Sequence, residues 1–299
     1  MEESDWSSDV CSSDLSSGAQ RHGRLLTSRW IETLVAPRRA DSHKGSFGSV
    51  LVLGGAPGTR GAAYLAALAA QAGGAGKVWI ASPEGDAFDP AYPQLMTRSF
   101  IGDDRDASVL AIGCGLGNSA TARDRLNSVL GDSRPCVLDA DALNLIAAEP
   151  ALIEALARRP GPAVLTPHPL EAARLLGSST AAVQSDRIAG ACRLAARTGA
   201  IVALKGAGTV LAAPDGRWAI NTTGSAALAT GGTGDVLAGL VASLMAQGYE
   251  PWLAACLGVW LHGRAGDQWH QAYPHGAGLS AAQLAASLPG AWPNARNEP

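Results

Sequence analysis

The amino-acid sequence predicts an α/β protein with a mainly parallel central sheet and helices on both faces. Short apolar runs alternate with helical patterns at least six times along the chain, as in sheets built from βαβ units. Glycines, carboxylates, a histidine and a lysine follow directly after several of these runs. Because the carboxyl ends of parallel strands meet at one edge of a sheet, we expect these residues to form a ligand site there.

The composition limits both the number of domains and the classes of partner. The 299 residues, 47% of them hydrophobic and 16% charged, suit one compact domain or at most two. A net charge of -3 argues against a nucleic-acid partner, and no apolar run is long enough to cross a membrane. Five scattered cysteines without a CxxC pair argue against a disulfide framework or a zinc site and favour a reducing, cytoplasmic compartment.

The chain is predicted to contain one folded domain and two tails. Residues 1–22 are rich in Ser and Asp and have no periodic pattern, so we expect a disordered or non-native tail. The alternating pattern lies within residues 23–290, which are predicted to form the domain. Residues 291–299 are predicted to be a C-terminal tail.

Six predicted strands share one pattern, a short apolar run that ends at glycine or at a polar residue. They are residues 50–53, 77–81, 108–112 and 200–204, and the first residues of segments 136–144 and 163–171. A hairpin is predicted after the sixth strand, because residues 209–213 and 217–221 flank a Pro-Asp-Gly turn.

The predicted helices have apolar residues at helical spacing. They are residues 24–35, 61–73, 186–197, 251–269 and 280–288, and the helix whose apolar stripe begins at Val236. Thr27 or Ser28 is expected to cap the first helix and Ser280 the last. His262, within residues 251–269, is expected to be a core or surface group.

Three loops at strand ends carry groups that could bind a ligand. The turn at residues 54–58 is either a tight strand-to-helix turn or a ligand loop, and it lacks the Lys-Ser/Thr of a Walker-type site. Residues 113–117 form GxGxG, which differs from the dinucleotide fingerprint GxGxxG. Asp139 and Asp141 could approach a magnesium-phosphate group, or Asp141 could simply cap the next helix.

Two basic side chains at strand ends are equally open. His168 lies between two prolines and ahead of Glu171, so it serves either a ligand or the turn itself. Lys205 begins the sequence Lys-Gly-Ala-Gly-Thr, which suits contact with a nucleotide phosphate, although a solvated lysine would look the same.

Residues 229–239 carry the strongest functional signal. Gly231, Gly232 and Gly234 allow close approach of the backbone to a ligand, and a helix follows at once. The free N–H groups and the dipole of a helix N-terminus form an anion site. Asp235 at this position is either a cap or a base that takes a hydroxyl proton during phosphoryl transfer.

The chain resembles the ADP/ATP-dependent NAD(P)H-hydrate dehydratase family of the ribokinase-like superfamily. The similarity rests on several blocks in a fixed order from about residue 41 to residue 288: residues 43–45, 54–55, 113–117, 137–145, 165–169 with Glu171, 204–209 and 229–239. The resemblance implies a three-layer αβα sandwich. It also implies repair of NADH or NADPH that has taken up water on the nicotinamide ring.

The resemblance also implies roles for individual residues. Asp235 matches the catalytic base and also contacts the hydrate. The other positions that match hydrate-binding residues are Ala62, Gly115 and His168. The positions that match nucleotide-binding residues are Lys205, Gly206, Ala207, Gly208, Thr209, Asn221, Gly231, Gly232, Thr233 and Gly234.

The implied reaction transfers a phosphoryl group to the hydrate's hydroxyl, after which the ring nitrogen expels phosphate. The implied cofactors are Mg²⁺ and ADP or ATP as donor, and no metal ligand is assigned to the protein. The implied partners are the hydrate of NADH or NADPH (NADHX or NADPHX), an adenine nucleotide, further copies of the chain in a homo-oligomer such as a tetramer, and a separate epimerase. The stretch ahead of the matching blocks is too short for an epimerase domain.

The sequence departs from the family pattern at five positions. Leu170 and Cys114 stand where Gly and Pro are common, and Thr222, Ser225 and Ala227 replace commoner Pro, Asn and Gly. These changes affect expectations for loop geometry and nucleotide preference. A small-molecule alcohol kinase of the thiazole or pyrimidine type is the alternative enzyme, and a nucleotide-sensing module is the non-enzymatic one.

Overall fold

The computed structural model describes residues 23–35, 37–83, 85, 88–102 and 104–293. The tail predicted at residues 1–22 lies outside the described residues, as do residues 294–299 of the predicted C-terminal tail. Within the described ranges, no helix has the length and apolar character that crossing a membrane requires.

The described strands form a single ten-stranded sheet. They are β1 (Gly23–Leu26), β2 (Ser49–Leu53), β3 (Lys77–Ser82), β4 (Met96–Ser99), β5 (Val109–Ile112), β6 (Cys136–Leu138), β7 (Ala163–Leu165), β8 (Ile201–Leu204), β9 (Val210–Ala212) and β10 (Trp218–Asn221). Their order is β1-β10-β9-β8-β7-β6-β5-β2-β3-β4. Neighbouring strands are parallel except that β9 runs antiparallel to both β8 and β10, which confirms the predicted sheet and hairpin.

Helices cover both faces of this sheet. They are α1 (Ser28–Glu32), α2 (Arg60–Ala72), α3 (Ala120–Leu130), α4 (Ala140–Ala148), α5 (Pro150–Ala157), α6 (Pro169–Leu176), α7 (Thr180–Ser185), α8 (Arg187–Thr198), α9 (Thr233–Ala246), α10 (Pro251–Ala272) and α11 (Ala281–Ser287). Short 3₁₀ segments lie at Lys44–Phe47, Ala226–Leu228 and Leu288–Ala291.

The two faces of the sheet bury two separate apolar cores. Side chains alternate along β2, so Val50 and Val52 point to one core and Leu51 and Leu53 to the other. The first core includes the apolar faces of α2, α9, α10 and α11, and the second those of α3 to α8. This arrangement is the three-layer αβα sandwich that the sequence predicts.

Close packing between α2 and α9 holds the functional helix in place. A Cβ added at Gly239 of α9 would lie 1.9 Å from the carbonyl oxygen of Ala66 in α2, so only glycine allows this approach. At the far end of the two helices, a Cβ at Gly73 would lie 2.2 Å from Ser243 Oγ. Because the backbones are in contact along this crossing, the start of α9 is fixed relative to the sheet.

Several elements differ from the sequence prediction, which did not include the helices α3, α5, α6 and α7. Two strands differ as well. The first part of the predicted helix 24–35 is the strand β1, which pairs in parallel with β10, and the helix spans only Ser28–Glu32. Thr27 caps it, as expected, by accepting a hydrogen bond from Trp30 N–H. The edge strand β4 has no apolar run, so the sequence does not predict it. It is a strand because it pairs with β3.

Candidate functional site

The loops at the carboxyl edge of the sheet enclose a cleft of about 430 Å³. Its walls come from the segments after β6, β7 and β8 and from the start of α9. The lining residues are Asp139, Ala140, His168, Pro169, Glu171, Lys205, Gly206, Gly232, Thr233, Gly234 and Asp235. The sequence analysis expected most of these residues at one edge of the sheet, and the fold brings them together there.

Asp235 lies in the first turn of α9 and opens onto the cleft. Burial raises the pKa of its carboxyl to about 6, a hydrogen bond from the Cys114 thiol opposes the rise, and the nearby carboxylate of Asp139 adds to it. The α9 cap residue is Gly232, and no side-chain hydrogen bond caps the helix. A carboxylate with this pKa is mostly ionised near neutral pH and still basic enough to accept a proton.

Lys205 and Asp139 form an ion pair beside Asp235. The Lys205 Nζ lies 2.7 Å from Asp139 Oδ1, and the side chain of Asp139 is almost fully buried. Burial by itself lowers the pKa of the ammonium group, but Asp139 and Glu171 outweigh it, so the pKa of Lys205 is raised and the group stays charged. A Cβ at Gly234 would lie 3.2 Å from this ammonium group, which makes the α9 start its direct neighbour.

The start of α9 is shaped as an anion site. Gly232 has φ +92°, a conformation that glycine adopts without strain, and α9 begins at the next residue. The Thr233 hydroxyl donates to the carbonyl oxygens of Leu228 and Thr230, at 3.0 Å each, and thereby fixes the preceding loop. Free N–H groups of the first helical turn are available to an anion.

His262 of α10 supports this turn from behind. Its Nε2 lies 2.8 Å from the carbonyl oxygen of Thr233. Burial lowers the pKa of His262 to about 4, so the imidazole is neutral and can donate Nε2–H to that oxygen. This agrees with the expectation of a structural group, although the pattern of residues 251–269 did not indicate that its partner is the start of α9.

Arg187 holds the predicted nucleotide loop from outside the cleft. Its guanidinium donates to the carbonyl oxygens of Leu204, Lys205 and Ala207, which span the start of that loop. The loop turns through Gly206, with φ +142°, and Gly208, with φ +62°. Sequence reasoning missed Arg187, because it lies on α8, outside the glycine motif, and only the fold shows what it contacts.

Asn221 makes its side-chain hydrogen bonds inside the protein. Its Nδ2 donates to the carbonyl oxygens of Thr223 and Val259, and its Oδ1 accepts from the Thr223 hydroxyl. The residue thus ties the loop after β10 to α10. The expected contact of Asn221 with nucleotide stays a prediction, as does that of Gly231, which is exposed ahead of α9.

His168 caps α6 and also lines the cleft. Its Nδ1 accepts from the backbone N–H groups of Leu170 and Glu171, and the Glu171 carboxylate accepts from His168 N–H. Its Nε2 lies 3.3 Å from Glu171 Oε1. Burial and the charge of Lys205 lower the pKa of His168, so the imidazole is neutral at pH 7. His168 thus holds the turn at the start of α6, and its contact with the hydrate stays a prediction.

Ala62 and Gly115 are both hydrogen-bonded to Thr59. The Thr59 hydroxyl donates to the carbonyl oxygen of Gly115 at 3.2 Å, and Ala62 N–H donates to the carbonyl oxygen of Thr59. Gly115 has φ +61°, and a Cβ there would lie 2.5 Å from the Thr59 carbonyl oxygen. Neither residue lines the cleft, so the expected contact of each with the hydrate stays a prediction.

The two carboxylates after β6 have different tasks. Asp141 Oδ2 accepts from Gly117 N–H at 2.8 Å and so holds the glycine loop after β5, and Asp139, not Asp141, is the cap residue of α4. Ala140 between them has φ +48°. Within the described ranges, every other residue with a positive φ is a glycine. This strained backbone lets Asp139 face Lys205 while Asp141 faces Gly117.

The carboxylates of the cleft do not form a magnesium cage. Asp139, Asp235 and Cys114 bring ligand atoms within 4.8 Å of one another. However, Asp139 is already paired with Lys205, and Mg²⁺ prefers oxygen ligands to thiols.

Comparison with known proteins identifies close relatives. A family model described as NAD(P)H-hydrate dehydratase matches residues 50–289. The chain is 42% identical to the ADP-dependent (S)-NAD(P)H-hydrate dehydratase of Neisseria meningitidis, over 90% of this chain and 93% of that protein. It is 41% identical to the bifunctional NAD(P)H-hydrate repair enzyme Nnr of Moorella thermoacetica over 82% of this chain, but it spans only 49% of that protein.

Solved structures agree with these relatives. The ADP/ATP-dependent NAD(P)H-hydrate dehydratase of Bacillus subtilis, co-crystallised with ATP and Mg²⁺, superposes with a TM-score of 0.79 at 32% identity, over 90% of this chain and 97% of that one. A hydroxyethylthiazole kinase from Pyrococcus horikoshii has a TM-score of 0.59 at 16% identity, over 82% and 89% of the two chains. The second similarity shows a shared ribokinase-like fold only.

Proposed function

Because this chain belongs to the NAD(P)H-hydrate dehydratase family, we propose that its cleft dehydrates (S)-NAD(P)H hydrate, with Asp235 as the base. The enzyme is an ADP-dependent lyase that restores NADH or NADPH. The observation that carries the assignment of the base is the position of Asp235, which opens onto the cleft beside the start of α9 and the Lys205–Asp139 pair.

The proposed reaction begins at the hydroxyl group on C6 of the hydrated ring. Asp235 accepts the hydroxyl proton as the oxygen attacks the terminal phosphorus of ADP, and the bond from that phosphorus to the AMP oxygen breaks. The lone pair of the ring nitrogen then expels phosphate from C6. Loss of a proton from C5 restores the double bond, so the sum is dehydration of the hydrate with ADP converted to AMP and phosphate.

The surrounding residues are proposed to hold the phosphoryl group while it is transferred. The N–H groups at Gly232, Thr233 and Gly234 would contact its oxygens, and the Lys205 ammonium would balance the developing charge. The loop at residues 205–209 would hold the adenine nucleotide. Ala62, Gly115 and His168 remain proposed contacts of the hydrate.

Mg²⁺ would neutralise nucleotide phosphates, and we propose that it enters with them. The residues of the cleft do not supply a dedicated metal site, because the Asp139 carboxylate already forms an ion pair with Lys205. For this reason no step of the proposed reaction is assigned to a protein-bound metal ion.

Three further features belong to the same proposal. We expect a homo-oligomer, with an epimerase supplied by a separate protein. A reducing, cytoplasmic compartment is supported by the cysteines of the described chain, which are buried and form no disulfide bond with one another: Cys114, Cys136, Cys192 and Cys256.

The test is a reaction of the purified protein with hydrated NADH and either ADP or ATP. Regained absorbance of the reduced nicotinamide, together with one phosphate released per hydrate, supports the dehydratase. A stable phosphorylated product without recovery of NADH would support the alternative, an alcohol kinase of the same fold. Nucleotide binding without any turnover would support the nucleotide-sensing module.

A further inference from the structure

A second concave surface adjoins the catalytic cleft along α2. This tyrosine groove is lined by Arg60, Tyr64, Leu65, Leu68, Asp89 and Tyr92. It encloses about 460 Å³ and continues, past Leu68 and Tyr92, into a smaller apolar hollow of about 300 Å³ against α11. None of these side chains has a role in the reaction proposed above.

The groove and the cleft are separated by a single layer of side chains. Leu65 lines the groove, and its Cδ1 lies 2.6 Å from where a Cβ of Gly232 would stand, while Gly232 lines the cleft. Ala281 lies 3.0 Å from the same point, and its neighbour Ala282 lines the groove. A ligand that leaves the cleft over the start of α9 therefore enters the groove directly.

The substrate is larger than the cleft that must process it. The cleft of about 430 Å³ has to hold both the hydrated nicotinamide and the phosphates of the nucleotide. The hydrate is a dinucleotide, whose adenosine half is joined to the reacting half through a pyrophosphate. That half needs a surface outside the cleft, since binding sites usually bury most of a ligand.

The chemistry of the groove matches an adenosine phosphate. Arg60, at the end of α2 near Ala62, offers a cation for the pyrophosphate. The rings of Tyr64 and Tyr92, with centroids 5.7 Å apart, give aromatic faces on which adenine can stack. The Asp89 carboxylate can accept hydrogen bonds from ribose hydroxyl groups. From Arg60 to Leu68 the helix rises about 12 Å, which suits one extended nucleotide.

We propose that the tyrosine groove binds the adenosine half of the hydrate, with Arg60 at the pyrophosphate and adenine against Tyr64 and Tyr92. The inference rests on the proposed dehydratase function and extends it from the reacting ring to the whole substrate. It makes the groove a specificity site that selects a dinucleotide hydrate over a mononucleotide hydrate.

The experiment compares two substrates, the hydrate of NADH and the hydrate of reduced nicotinamide mononucleotide, which lacks the adenosine half. The wild-type protein is expected to have a KM at least about tenfold lower for the dinucleotide, the effect of one stacked base. Arg60→Gln and Tyr92→Leu should each raise that KM about five- to tenfold with kcat changed less than about twofold. Tyr92→Leu should not change the KM for the mononucleotide hydrate, because that substrate lacks the adenine, whereas Arg60→Gln can raise it, because the mononucleotide keeps one phosphate.

Tyr273→Leu is the matched control, because Tyr273 is exposed, stacks on Trp269 and lines neither the groove nor the cleft. It should leave both KM values unchanged. Equal KM values for the two hydrates in the wild type, or an equal rise of both in Tyr92→Leu, would overturn the inference. A changed oligomeric state with such an equal rise would identify the groove as a contact between copies of the chain. A wild type that dehydrates neither hydrate would overturn the proposed function, and the inference with it.

Discussion

Replacing Asp235 with asparagine should abolish turnover while leaving nucleotide binding intact. The amide keeps the shape of the side chain but cannot accept the hydroxyl proton, and a lost general base lowers rates by about 10²- to 10⁴-fold. The contacts proposed for the nucleotide lie in the loop at residues 205–209 and at the start of α9. We therefore expect kcat to fall with little change in the Kd for ADP.

The same carboxyl group sets the pH dependence of the wild type. Burial raises its pKa to about 6, and only the ionised form is a base. About nine tenths of the groups are ionised at pH 7 and about one tenth at pH 5, so kcat/KM should fall on the acid side of pH 6. The asparagine variant should lose this acid limb.

The Asp235→Asn variant should also be more stable than the wild type at neutral pH. The pKa of Asp235 rises from 3.8 to about 6 on folding, so the folded state binds this proton more tightly than the unfolded state. The free energy of unfolding therefore decreases as pH rises from about 4 to 6. About two pKa units correspond to at most 3 kcal/mol, and screening at the open side of the cleft leaves about 1 to 3 kcal/mol.

Thermal unfolding and steady-state kinetics together test this reasoning. At pH 7.5 the Tm of Asp235→Asn should exceed that of the wild type by about 2 to 8 °C, and the difference should shrink at pH 4. Asp124→Asn, at an exposed position of α3, is the control and should change neither rate nor Tm. Activity within tenfold of the wild type, or a lower Tm at pH 7.5, would refute the role and the environment assigned to Asp235.

Three further substitutions probe the structure around the cleft. Lys205→Met leaves the buried carboxylate of Asp139 unpaired and should lower the free energy of unfolding in urea by about 3 to 5 kcal/mol and weaken ADP binding. Arg187→Lys cannot reach three carbonyl oxygens and should raise the KM for ADP about tenfold without changing the KM for the hydrate. Gly239→Ala forces a methyl group against the backbone of α2 and should cost about 1 to 3 kcal/mol or more of stability in the same urea titration.

Two of these substitutions have a control of the same residue type. Arg193→Lys, exposed on the same helix as Arg187, should change neither KM. Gly290→Ala meets no atom within 4 Å and should leave stability within about 0.5 kcal/mol of the wild type. If Lys205→Met unfolds at the same urea concentration as the wild type, the lysine does not stabilise the buried carboxylate of Asp139. If Arg187→Lys raises both KM values equally, the arginine supports the whole fold and not the nucleotide loop.

Local patterns were sufficient to predict most of the fold. The six apolar runs, the hairpin and the apolar helix α9 each have a signature within a few residues, because burial selects apolar side chains along each element. The strands β1 and β4 have no such signature, since both lie at edges of the sheet, where few side chains are buried and pairing with a neighbour decides the conformation.

The sequence by itself determined the chemical groups of the site and the edge of the sheet where they lie. Glycines before a helix start place Asp235 at the beginning of α9, and polar residues after buried runs place Lys205 and His168 at the carboxyl ends of strands. The tertiary structure alone decided which of these groups touch. Lys205 and Asp139 are 66 residues apart, and Cys114 faces Asp235 from another loop. Strand order across the sheet sets such contacts, and with them the burial that raises the pKa of Asp235, and no local spacing in the chain encodes that order.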